Sequence, residues 1–207
     1  MKEKLLGLAG KIYHETVGAL ICFFHHLKND RKPISEKTVL FVAHPDDDAL
    51  FFHTVLKSEK PFVALMTTGK SLRRMKAFRR VMNYYGVNYT YFPLSTRDKR
   101  EDKLQKYVQT VLSRGNFEKA YTHSQSGEYG HEMHKRVHEA VKNRFDGEIF
   151  TTVTEEENAA LPRLEEELCR EKEMIFKTMY TTESFVLELW PNWLYCEKHI
   201  LLRRKEK

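Results

Sequence analysis

Three absences narrow the reading of this 207-residue chain before any motif is considered. Only three cysteines occur, Cys22, Cys169 and Cys196, odd in number and far apart. That excludes a disulfide framework and a cysteine-built zinc site, and it favours a reducing, cytoplasmic setting. No apolar run approaches the ~20 residues a membrane span needs. No glycine-rich turn follows the first apolar strand pattern and no phosphate-binding loop ends in Gly-Lys-Ser/Thr, so neither nucleotide fingerprint is present. There is no internal repeat and no low-complexity segment. The formal charge of +6 is spread among many acids, without a basic stripe interleaved with aromatics, so nucleic-acid binding is not expected.

With 41% apolar residues, the chain has the length and composition of one domain with a layered core. Residues 1–34 read as an appendage. Leu5, Leu8, Ile12, Leu20 and Phe24 recur at helical spacing, and Asn29-Asp30-Arg31-Lys32-Pro33 makes a polar break. Lys11, His14 and Glu15 interrupt the run and no small-residue cleavage site follows, which argues against an export signal. An amphipathic helix is expected, packed on the core or lying on a membrane surface.

From Lys37 the pattern alternates. Strands are expected at Thr38 to Ala43, Phe62 to Thr67, Asn88 to Leu94, Lys119 to Thr122 and Glu148 to Val153. Helices are expected at about Asp48 to Leu56, Ser71 to Tyr85, Glu101 to Ser113 and His131 to Arg144. Connections too long for hairpins make this an α/β, Rossmann-like three-layer fold with a mainly parallel sheet over residues 35–155. Residues 156–207 read as a mostly helical extension, clearest from Leu164 to Tyr180 and hard to assign near Trp190-Pro191-Asn192-Trp193.

Two clusters carry chemistry. The first strand runs into Ala43-His44-Pro45-Asp46-Asp47-Asp48, at the carboxyl end of a strand, where open parallel sheets bind ligands. One Asp suffices to cap a helix. Three adjacent carboxylates beside a histidine repel one another unless a cation or hydrogen bonds offset them. The fourth strand ends at Tyr121-Thr122-His123 and leads through Gly127-Glu128-Tyr129-Gly130 to His131-Glu132-Met133-His134. His131, His134 and His138 fall at i, i+3 and i+7, one face of a helix. Such a face is often merely solvated, but two His/Asp clusters at strand ends of one sheet can converge. His44, Asp47 and His134 make the best set of three ligands, leaving positions open for water and substrate as catalytic zinc does; iron(II) or manganese suits the same donors.

Ala43 to Asp48, followed by Gly130-His131-x-x-His134, resembles the PIG-L/LmbE-like de-N-acetylases, whose hallmarks are Ala-His-Pro-Asp-Asp-Glu after a strand and a later Gly-His-x-x-His. The resemblance covers roughly Thr38 to Val153 and includes Thr67-Thr68-Gly69 and the helix ending at Gly86. It implies a zinc-dependent hydrolase acting on an N-acetylglucosamine-type amino sugar or its conjugate. His44, Asp47 and His134 would be metal ligands, Asp46 the general base, and His131 the group that steadies the oxyanion. Tyr129 matches a mobile active-site tyrosine and Arg74 a substrate-contacting arginine. There are departures: Asp48 replaces the usual Glu, Phe51-Phe52-His53 replace glycines, and Ala77 stands where an acid is common. The rival readings are a related hydrolase with a non-sugar substrate and a non-catalytic metal-binding module.

Overall fold

The computed structural model describes residues 16, 17, 20, 21, 25, 32–68, 71–95 and 99–204. All five expected strands form: β1 (Thr38–Val42), β2 (Phe62–Thr67), β3 (Tyr89–Leu94), β4 (Lys119–Thr122) and β5 (Glu148–Thr152). So do the intervening helices α1 (Asp47–Ser58), α2 (Leu72–Tyr85), α3 (Glu101–Leu112) and α4 (Glu132–Lys142). The extension contributes α5 (Glu155–Ala159), α6 (Glu166–Thr178), α7 (Val186–Leu189), α8 (Asn192–Tyr195) and a last strand, β6 (His199–Arg203).

The sheet order is β3-β2-β1-β4-β5-β6, with β1 to β5 parallel and β6 antiparallel to β5. A fully buried central strand reads as a continuous apolar run, as Val39-Leu40-Phe41-Val42 does. Its alternate side chains feed two cores. Leu40 and Val42 join Leu65, Phe78, Phe176 and Trp193 on one face, while Val39 and Phe41 join Met66, Leu104, Val108 and Val137 on the other. This is the three-layer arrangement expected.

The mostly helical extension needs one correction. Residues His199–Arg203 pair with β5 as the sixth strand, so the segment is not a tail but completes the sheet edge. Its Ile200, Leu201 and Leu202 are 41, 37 and 40% exposed, so neither face of this strand is buried in the usual alternating way. Backbone pairing and one side chain set it in place: the His199 ring stacks on Phe52 at 5.1 Å and its Nε2 lies 2.9 Å from the Phe51 carbonyl oxygen.

Most of the N-terminal helix, and the question of whether it meets a membrane, lies outside the described residues. Of those described, Thr16, Val17, Leu20, Ile21 and His25 are helical, and the His25 ring stacks on Tyr91 at 4.2 Å. Ile34, in the region expected to link this helix to the core, is buried and bridges to Gly115. Among the described residues no helix is long and apolar enough to cross a membrane. Cys169 and Cys196 are free thiols, and Cys22 lies outside the described residues.

Candidate metal centre

The order of strands reverses between β1 and β4, and the loops leaving their carboxyl ends are the two that hold the histidines and aspartates. A switch point of this kind opens a crevice in which ligands bind.

The loop after β1 is bent sharply. Pro45 restrains the chain, and Asp46 adopts φ 115°, a conformation that L side chains rarely take. The turn places the Asp47 carboxylate over the start of its own loop, where the His44 N–H donates to Asp47 Oδ2 at 2.6 Å. Behind it the Asp46 N–H donates to Asp48 Oδ1 at 3.1 Å.

The loop after β4 needs glycine. Gly127 has φ 73°, and a Cβ there would lie 2.5 Å from the His131 carbonyl oxygen. The tight turn brings Glu128 back under the strand. Its Oε1 accepts the Ser124 N–H at 2.8 Å and the Thr152 hydroxyl, and its Oε2 accepts from His134 Nδ1 at 2.6 Å. His131 then caps α4, its Nδ1 accepting the Met133 N–H at 3.2 Å.

Two sets of donors converge: His44, His131 and His134, and Asp47, His123 and His134. The hydrogen bonds decide among them. His123 Nε2 accepts the Ala43 N–H at 2.9 Å, so its lone pair is used and its proton sits on Nδ1, facing Glu128 at 3.2 Å. At 3.3 Å from Asp47 Oδ2 it is a neighbour, neither a ligand nor a hydrogen-bond donor. His131 likewise has Nδ1 occupied, which leaves Nε2–H as a donor. By contrast, Glu128 takes the Nδ1 proton of His134 and leaves Nε2 free to bind, the carboxylate–histidine arrangement that orients metal ligands.

What remains is a triangle. His44 Nδ1, Asp47 Oδ2 and His134 Nε2 are separated by 3.3 Å (His44 to Asp47), 3.2 Å (His44 to His134) and 3.4 Å (His134 to Asp47). A tetrahedral ion bound at about 2.0–2.2 Å sets its ligand atoms about 3.3–3.6 Å apart, so the three atoms fit one face of such a site. His44 Nε2 and Asp46 Oδ1 are buried beside it with no hydrogen-bond partner in the protein.

The charges agree with the distances. Burial alone would raise the Asp47 pKa, yet His134 and His44 hold it well below the usual carboxylate range. Glu128 is also held low against its burial, by His123 and His134. Burial opposes a charge on His134 too, but Asp47 and Glu128 outweigh it and push the pKa up to about 10. In the metal-free protein a proton on His134 therefore supplies the positive charge that two buried carboxylates demand. Asp46 moves the other way, its pKa raised well above normal by burial and by the charge on Asp47. Burial lowers His44 and takes His131 down to about 4, so both rings are neutral at pH 7.

No protein-family model matches the chain, and no curated protein matches it in sequence. Among solved structures, the 4-carboxy-2-hydroxymuconate hydratase GalB of Pseudomonas putida KT2440 superposes with a TM-score of 0.58 at 12% identity, over 77% of this chain and 82% of that one. At that identity the likeness is one of fold.

The remaining residues singled out from the sequence fall around the triangle. The Tyr129 ring lies 5.6 Å from the His134 ring and stacks on Trp190 at 4.0 Å. Arg74 is already engaged, with Nη2 donating to the Pro45 carbonyl at 3.1 Å, 3.6 Å from Asp46 Oδ1, and with Nε 3.0 Å from Glu183 Oε1. His138 shares the helix face of His134 but turns away, its Nδ1 bonded to the His123 carbonyl at 2.8 Å. Sequence reasoning assigned no role to His123, Glu128, Tyr180 or Glu183. For Glu128 a signal was present, an acid between two glycines just before the His-x-x-His pair.

A cavity of about 600 Å³ lies at the opposite, amino edge of the sheet, lined by Lys32, Phe62, Arg79, Asn88, Tyr89 and Arg114 among others. None of the histidines and carboxylates around the triangle borders it, though His25, Ile34 and Tyr91 do.

Proposed function

We propose that this protein is a metal-dependent amide hydrolase that removes the N-acetyl group from an N-acetylated amino sugar, of N-acetylglucosamine type, or its conjugate. The observation that carries the reading is the triangle of His44 Nδ1, Asp47 Oδ2 and His134 Nε2, with the raised-pKa carboxylate of Asp46 next to it in sequence. Both motifs that resemble the PIG-L/LmbE-like de-N-acetylases supply its corners.

His44, Asp47 and His134 would hold a zinc ion, which would supply Lewis acidity toward a carbonyl and toward water. The chain's own groups do the rest. Asp46 is the general base, taking the proton of the attacking water and returning it to the leaving nitrogen, a role worth about 10²–10⁴-fold. Neutral His131 presents Nε2–H to the oxygen on which negative charge builds. Tyr129 and its stacking partner Trp190 offer an aromatic wall for the sugar, and Glu128 fixes the His134 ring. Acetate and a free amino sugar leave.

The test is release of primary amine from a panel of N-acetyl-glucosaminyl conjugates with added zinc. Asp46→Asn is expected to keep its zinc and lose about 10²–10⁴-fold in kcat, since an amide takes no proton. Asp47→Asn is expected to lose much of the zinc as well. Equal effects at the two positions overturn the assignment of roles, and full activity in Asp46→Asn overturns the mechanism. GalB is a hydratase, so a wild-type protein that binds zinc and releases no amine from any conjugate would move the reading toward other chemistry with water.

A further inference from the structure

Asp46 sits at φ 115°, its N–H bonded to Asp48 Oδ1 and its carbonyl accepting the Leu50 N–H at 2.8 Å, so the turn is only as firm as the placing of Asp48. Strained backbone persists only where its surroundings over-determine it. The surroundings here come from the far end of the chain. Just past α6, Tyr180 is fully buried and its hydroxyl donates to Asp48 Oδ1 at 2.7 Å, with Oδ2 at 2.9 Å. Asp48 Oδ1 in turn accepts the Asp46 N–H. Three residues later the buried carboxylate of Glu183 pairs with Arg74, whose other arm holds the Pro45 carbonyl and lies beside Asp46. Two independent chains of contacts thus run from residues 180–183 to the 44–48 loop, one reaching the Asp46 backbone and the other its carboxylate.

We propose that Tyr180 and Glu183 are positioning residues that form a clamp on the loop carrying His44, Asp46 and Asp47, with Arg74 as the link from Glu183. Arg74 then acts through this loop rather than on the substrate. The shorter Asp48 is matched by a tyrosine that reaches in to meet it. The inference rests on the metal-site reading above and adds residues to which no motif points.

The test is zinc affinity, measured by competition with a chromophoric chelator, alongside the unfolding midpoint of the metal-free protein. Partners that touch a metal ligand are typically worth about 10–100-fold in affinity, and these two stand a contact further out, so the low end of that range is the ceiling. Tyr180→Phe and Glu183→Gln are each expected to weaken zinc binding about tenfold. Arg74→Ala is expected to cost little more in the Glu183→Gln background, because the two residues act as one unit. Glu171→Gln is the control. Glu171 also pins α6 to the core, through Lys57 and Tyr84, without touching the loop, and its loss is expected to leave zinc affinity unchanged. A lowered unfolding midpoint with wild-type zinc affinity in Tyr180→Phe and Glu183→Gln would make them simple structural anchors and overturn the clamp. A wild-type protein that binds no zinc overturns the metal site and the clamp with it. Weakened binding in the variants, with no amine released by the wild type, upholds the clamp and removes only the amide substrate.

Discussion

Two groups of buried charges, one beneath the C-terminal extension and one at the carboxyl edge of the sheet, differ in how their needs are met. In the first, Lys172 and Glu197 are both fully buried, 3.3 Å apart. The lysine also donates to the Trp193 carbonyl at 2.6 Å, and the other oxygen of Glu197 accepts the Thr54 N–H at 2.9 Å and the Thr54 hydroxyl. Every charge has an opposite charge and a hydrogen bond beside it. In the second, around Asp47, carboxylates outnumber fixed cations, and His44 Nε2 and Asp46 Oδ1 are left without hydrogen-bond partners, Asp46 having only the Arg74 guanidinium at 3.6 Å. The closed pair ties the extension to the core; the open group is the one to which the proposed function assigns a metal ion.

The comparison can be broken first at the closed pair. Lys172→Met leaves Glu197 buried with no cation, and such a break costs about 3–5 kcal/mol. Chemical denaturation should register that loss, and zinc affinity should stay at the wild-type value. A large fall in zinc affinity at equal stability would mean that the two groups are one system.

At the open group the expected order is reversed. Glu128→Gln keeps the shape of the side chain but takes away the charge that orients His134 and His123. It is expected to weaken zinc binding by about 10–100-fold, with a smaller effect on folding, as seen in parallel chelator competition and thermal melts. If stability collapses while affinity holds, Glu128 belongs with the closed kind.

The smallest effect, counted per pH unit, concerns protons. The His134 pKa is raised to about 10 in the metal-free protein, so at neutral pH zinc must displace a proton from it. Affinity is therefore expected to rise about tenfold per pH unit below about 10, with roughly one proton released per ion. The sign follows from the raised pKa, since the proton competes at every pH below it. Calorimetry in two buffers of different ionisation enthalpy measures the proton count, and a count of zero would place the site's positive charge elsewhere.

The sequence-based reading works best where one segment decides the outcome. β1 and β2 are short apolar runs whose burial is written into their own residues, β3 to β5 are short β-branched and aromatic stretches, and each helix between them has a polar boundary. That His44, Asp47, His131 and His134 come together is legible because they sit in two compact motifs at strand ends. β6 is not, because its side chains are exposed on both faces and its pairing is a property of β5's edge. Nor are Tyr180 and Glu183, which act across more than a hundred residues of chain and leave no local pattern. His123 reads as the last residue of a strand, and only the Ala43 N–H bonded to its Nε2 gives it a place among the ring nitrogens.

The position of the clamp in the chain also sets an order of assembly. Protein chains emerge from synthesis amino end first, and early segments begin to fold before later ones exist. Here β1, its acidic loop and the His131–His134 pair are all made before Tyr180 and Glu183. If the clamp acts as proposed, a nascent chain would own its complete set of donor atoms while the loop carrying three of them is still unclamped, and the turn at Asp46 would lock only once residues 180–183 have been made. Maturation of the site would then be a late event, timed by a segment that carries none of its chemistry.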